Sequence, residues 1–173
     1  FPTILKFFDE ASIDLNYTSK VFDPLFHHIS KIKEKEVPNL KISIMFHGVK
    51  EIGTQFKNNK NINSIDIRSS VTSIKASAFA KCSSLSTVIL SDALAEIKRN
   101  TFDLCTALTE ITIPATVAKI DDFSFNGCTA LKKVTFAKGS TAASIGEQCF
   151  SDCSALEEFD VPSTVTVIGA KAF

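Results

Sequence analysis

Four kinds of residue recur in step along this chain, and any fold it adopts must account for them. Phe79, Phe102, Phe125, Phe150 and Phe173 are separated by 23, 23, 25 and 23 residues. Cys82, Cys105, Cys128 and Cys153 keep the first three of those intervals, as do Leu85, Leu108, Leu131 and Leu156. Ile74, Ile97, Ile120, Ile145 and Ile168 keep all four, and every column stays in register through a two-residue insertion in the Ala137–Ala143 stretch. A period of this length is the signature of stacked units, none of which buries its apolar face alone.

One unit reads Leu108-x-x-Ile111-x-Ile113-Pro114-x-x-Val117-x-x-Ile120, then Phe125-x-x-Cys128. Ile111 and Ile113 alternate with polar residues, so they share one face of a strand. Pro114, like Pro162 two units later, removes a donor and helps end pairing there. Val117 and Ile120 suggest a second short extended segment on an opposite wall. Phe125-Asn126-Gly127-Cys128 then turns the chain back, through what reads as a helical or 3₁₀ turn. An earlier, degenerate copy holds Ile62-x-x-Ile65-x-Ile67, preceded by a tighter set at Val49, Ile52 and Phe56, with Asn59 at the cysteine position. Stacked units of this kind place their strands in a parallel ladder spaced ~4.8 Å apart.

The pattern L-x-x-[IV]-x-[IL]-P-x-x-[VL]-x-x-I-x-x-x-x-F-x-x-C-x-x-L resembles the BspA-type (Treponema-like) leucine-rich repeat, strongly over residues 62–173 and weakly over 39–61. The resemblance implies a right-handed solenoid of short parallel strands joined by short helical or 3₁₀ turns. It would place about five coils, the last incomplete, in residues 39–173. It also implies a cell-surface protein that attaches to host or matrix proteins. Residues 1–38 have a different grain. Asp23-Pro24 is a good helix start, and Phe22, Leu25, Phe26, Ile29 and Ile32 follow at helical spacing. Thr3 through Ala11 would form another short helix, and the two together predict a helical cap over the first coil. Phe1-Pro2, Phe7-Phe8, Asp14-Leu15 and Val21-Phe22 loosely resemble an F-box, although Pro2 and Asp14 lie closer than that motif has them. That alternative makes the chain an intracellular scaffold or adaptor with the repeats as its substrate-recognition face.

Chemistry is hard to find. Lys plus Arg and Asp plus Glu both number 19, so the net charge is zero, unlike the basic face a nucleic-acid partner needs. No apolar run approaches the ~18–20 residues that span a bilayer, so direct membrane insertion is not expected. The five cysteines are an odd number, unlike a disulfide framework. Four of them share one repeat position and read as small core residues, while Cys149 sits where other units have Ala78, Thr101, Ser124 and Ala172. Ligands spaced 23 residues apart along a ladder make no zinc tetrahedron. His27, His28 and His47 have no nucleophile or orienting carboxylate in any recognisable pattern. No catalytic residue, metal site or cofactor is expected.

What remains is the outward side of the strands, concave in leucine-rich repeats. One column holds Ser64, Thr87, Glu110, Lys133 and Glu158; a second holds Asp66, Ile89, Thr112, Thr135 and Asp160; a flanking third runs Asn63, Ser86, Thr109, Lys132 and Glu157. Ser64, Asp66, Thr87, Glu110, Thr112, Lys133, Thr135, Glu158 and Asp160 are the candidate contacts for another protein. Their bland reading is a solvated sheet whose alternating charges neutralise one another. An array that stops partway through a repeat, at Phe173, also suggests weak end-to-end self-association.

Overall fold

A computed structural model describes residues 12–17, 41–46, 48–67 and 71–173. They form a parallel β-solenoid. One wall is built from β1 (Ser12–Tyr17), β2 (Lys41–Phe46), β4 (Ile62–Asp66), β6 (Thr87–Ile89), β8 (Glu110–Ile113), β10 (Lys133–Phe136) and β12 (Glu158–Phe159). Between them the chain crosses to a second wall of two-residue strands, β3 (Glu51–Ile52), β5 (Ser73–Ile74), β7 (Glu96–Ile97), β9 (Lys119–Ile120), β11 (Ser144–Ile145) and β13 (Val167–Ile168). All bonded pairs are parallel. The first wall is hydrogen-bonded in the order β1-β2-β4-β6 and again in the order β8-β10-β12, with a break in the ladder between β6 and β8.

The register puts each sequence column on one line. Ile65 pairs with Val88 and Ile111 with Val134; on the far wall Ile97, Ile120, Ile145 and Ile168 stand rung above rung. The core between the walls holds these residues with Leu85, Leu108 and Leu131, all buried except Ile168, which is 51% exposed. Phe56, Phe79, Phe102, Phe125, Phe150 and Phe173 form one continuous stack, with successive ring centroids 5.2–5.8 Å apart and planes within 16° of parallel. Burial of a large ring on each coil, rather than any polar device, is what repeats.

Two features differ from the reading of the sequence. Ser12–Tyr17 lies inside the segment expected to be a helical cap, yet it is a strand paired residue for residue with Lys41–Phe46. The helices expected over Thr3–Ala11 and Phe22–Ile32 lie outside the described residues. The turns at the Phe column are not helical either, and no helix occurs among the described residues. Ser77 and Lys81 both have positive φ, as do Asn100 and Leu104, Phe123 and Gly127, Gln148 and Asp152. A left-handed residue on each side of the ring stops a right-handed run after one turn. It also frees the backbone to bond outward. The amides of Ser77, Phe79 and Lys81 donate to the carbonyls of Arg99, Thr101 and Asp103 on the next coil, and the pattern repeats at Asn100, Phe102 and Leu104. The corner is thus a third parallel ladder.

Candidate functional site

The columns predicted to face outward do so. Thr87, Glu110, Lys133 and Glu158 are exposed, as are Thr112, Thr135 and Asp160, while Ser64 and Asp66 on β4 are half-buried. The ladder brings Ser64 beside Thr87, Lys133 between Glu110 and Glu158, and Thr135 beside Thr112. Asp160 follows directly after β12. Ser64 is already engaged, its hydroxyl 2.6 Å from that of Ser43. Lys133 Nζ donates to Glu158 Oε2 at 2.6 Å. That bond holds the Glu158 carboxyl below its usual range and the lysine above its own. Both side chains are more than half exposed, so the pair orders the surface far more than it stabilises the fold.

Two open grooves border this face. One, of about 640 Å³, runs beside the turn at Gly139 and is lined by Lys133, Thr135, Phe136, Ser140, Asp160 and Val161 among others. The other, of about 490 Å³, lies over the break between β6 and β8 and includes Thr87, Ile89, Glu110 and Thr112. The Gly139 turn is the two-residue insertion. Its Ser140 amide closes on the Ala137 carbonyl, and the chain rejoins the ladder where the Thr141 amide meets Ala115. Gly139 has φ near +79°, and a Cβ there would meet nothing, so the turn needs glycine for its backbone and not for space.

Among the described residues the cysteine-column thiols and two buried hydroxyls are taken up by structure, while His27, His28 and His47 lie outside the described residues. Each thiol of the cysteine column donates to the carbonyl of the stacked phenylalanine on the preceding coil. Cys82 bonds Phe56, Cys105 bonds Phe79, Cys128 bonds Phe102 and Cys153 bonds Phe125, at 3.1–3.3 Å. Burial pushes the Cys82 thiol up to about 12 and the Cys153 thiol to about 11, and raises the other three as well. They are donors held protonated, the opposite of an activated nucleophile. All five are free of disulfides. The reading of the sequence placed these residues inside but missed the sulfur bond, which the fixed spacing from Phe to Cys could have suggested. Thr101 and Ser124, also buried, donate to the carbonyls of Lys98 and Asp121 at 2.6 Å. Among the described residues no group of three His, Cys, Asp or Glu side chains could hold a metal ion, and no helix is long and apolar enough to cross a membrane.

With this geometry in view, residues 50–173 match the BspA type leucine rich repeat region in six copies. The chain belongs to this family. Similar leucine-rich repeat folds are found among solved bacterial structures. A leucine rich cell surface protein of Faecalibacterium prausnitzii is 28% identical, with a TM-score of 0.63 over 74% of this chain and 31% of its own. A leucine-rich repeat protein of Eubacterium ventriosum (21% identical, TM-score 0.62, 78% of this chain and 34% of that one) shares the fold. So does the leucine-rich repeat protein of T. pallidum (23%, TM-score 0.56, 73% and 72%). The chain spans about a third of the length of the first two. None of the curated proteins matches it.

Proposed function

We propose that these BspA-type repeats form a non-enzymatic protein-binding module, displayed at a cell surface, that offers the outer face of its first wall to a protein partner. One observation carries the reading. The four thiols of the cysteine column and the buried Thr101 and Ser124 hydroxyls are committed to backbone carbonyls, whereas the face keeps a register-held array of exposed side chains that bond, where they bond, only to one another. The name of the Faecalibacterium protein supports the surface setting.

Size supports it too. Seven strands at ~4.8 Å spacing span ~29 Å, and a face five residues wide, as from Asn63 to Ile67, is ~16 Å across at ~3.3 Å per residue. The projected face is therefore on the order of 460 Å², and the bordering grooves bring it towards the ~800 Å² per partner of a standard interface. A first wall of five strands, as the sequence suggested, would have fallen well short.

Two experiments test this. Thr135→Trp, at the middle of the face, is expected to abolish capture of a protein partner by the full-length protein while leaving the urea midpoint unchanged. Capture undiminished by that substitution would remove the face from consideration. Antibody against the repeats should stain unpermeabilised cells. Staining only after permeabilisation would favour the adaptor reading.

A further inference from the structure

The two grooves meet at Ala137 and make one track along the margin of the sheet. Its floor is more apolar than a solvated face requires. Phe136 and Val161 occupy the strand position that Ile67, Leu90 and Ile113 fill in earlier coils. Those three are buried, whereas Phe136 is half-buried. Ile89, at the other end of the track, is 39% exposed.

Its charge is one-sided. Glu110, Glu158 and Asp160 stand around a single cation, Lys133, which feels all three but is bonded only to Glu158. Glu110 and Asp160 make no ion pair among the described residues. Three carboxylates against one ammonium leave two negative charges in excess, in a chain whose total is zero. The excess is therefore local, and an anionic partner would be repelled from it. Glu110 and Asp160 lie on rungs two apart, ~9.6 Å by ladder spacing, so they do not converge on one ion.

We propose that this track takes an extended, basic segment of a protein partner. Its lysine or arginine side chains would sit at Glu110 and Asp160, and the apolar side chains between them would lie against Ile89, Phe136 and Val161. The proposal rests on the reading of the face as a protein-binding surface, and adds the chemistry of what binds. From β6 to β12 the track crosses three spacings, ~14 Å, which four or five extended residues cover. An extended segment turns every second side chain to the same side, so basic and apolar residues taking turns at every second position would match the carboxylates and hydrocarbon met along the track.

Fluorescence anisotropy with a labelled peptide of about eight residues, in which lysine and valine take turns at every second position with serine between, tests it at near-physiological salt. The peptide is expected to bind and its glutamate counterpart not to. The pair Glu110→Gln/Asp160→Asn should weaken binding about fivefold or more, whereas Glu96→Gln/Glu147→Gln, the same charge change on other faces, should alter it less than about twofold. No binding of the lysine peptide, or equal weakening by both pairs, overturns the proposal. Partner capture lost in Thr135→Trp but undiminished in Glu110→Gln/Asp160→Asn discards the basic segment and keeps the face; capture undiminished in both discards the two together.

Discussion

At Cys105 a small side chain performs a task that recurs on every coil. The Phe79 carbonyl already accepts from the Cys82 amide and has a second lone pair facing the core; the Cys105 thiol fills it at 3.2 Å. Because the folded thiols titrate above the ordinary value of 9.0, their contribution to stability is whole below that pH. It is lost as pH rises towards the folded values, about 11 for Cys153 and about 12 for Cys82. Urea midpoints should therefore hold steady from pH 7 to about 8.5 and fall above it more steeply than in a Cys82→Ala/Cys153→Ala variant. Parallel curves would mean that the thiols do not titrate differently in the two states. The ring column carries more. Phe102 lies 5.7 Å from Phe79 and 5.4 Å from Phe125, fully enclosed, so Phe102→Ala should cost about 3–5 kcal/mol in a urea melt. A loss below ~1 kcal/mol would show that the stack is not what holds the coils. The Phe, Cys, Leu and Ile columns were legible because a solenoid repeats its environments, and repeated environments select repeated residues. The left-handed residues were not. Ser77, Lys81 and Leu104 carry ordinary side chains that announce nothing, and among their equivalents only Gly127 and, more weakly, Asn100 and Asp152 betray the backbone.

Among the elements, the two-residue strands of the second wall are too short to hold themselves and rely on close stacking. Gly146 and Gly169, just after β11 and β13, show how close. A Cβ on Gly146 would collide with the backbone of Asp121 and Asp122, and one on Gly169 with the backbone of Gly146 and Glu147. Backbone cannot swing aside as a side chain can. Gly146→Ala should therefore cost about 1–3 kcal/mol, against the small gain that Gly→Ala brings where space and φ allow. A Gly146→Ala chain as stable as its parent would mean that the coils slide apart freely. The strand at Ser12–Tyr17 was also within reach of the sequence, since Ile13, Leu15 and Tyr17 alternate with Ser12, Asp14 and Asn16. The aromatic and aliphatic pairs that flank this segment pulled the reading towards a helical cap. On the face, the columns were legible from strand alternation alone, down to which rung meets which. The grooves were not, because they arise from the break between β6 and β8 and from where the Gly139 turn projects, and neither leaves a mark beyond a two-residue offset.

For the whole molecule, contacts run between neighbouring coils and seldom further, so stability should be close to a sum over coils. Excising one full period, residues 98–120, joins Ile97 to Asp121 and leaves every column in step. Such a chain should keep its β-sheet circular dichroism per residue and unfold at a lower urea midpoint with a smaller m-value. Removing half a period, residues 98–108, should abolish the fold. If the two deletions behave alike, the columns are not the source of order. The same arrangement governs how the molecule answers to force. Its backbone bonds, on both walls and at the corner, point from one coil to the next along the solenoid axis. Tension between the ends would therefore load them one rung at a time, peeling coils off in sequence instead of shearing the whole body at once. With 23 residues in a period, each rupture would release roughly 70 Å of contour length at ~3.3 Å per residue, giving a low, evenly toothed extension trace of the kind that suits a tether.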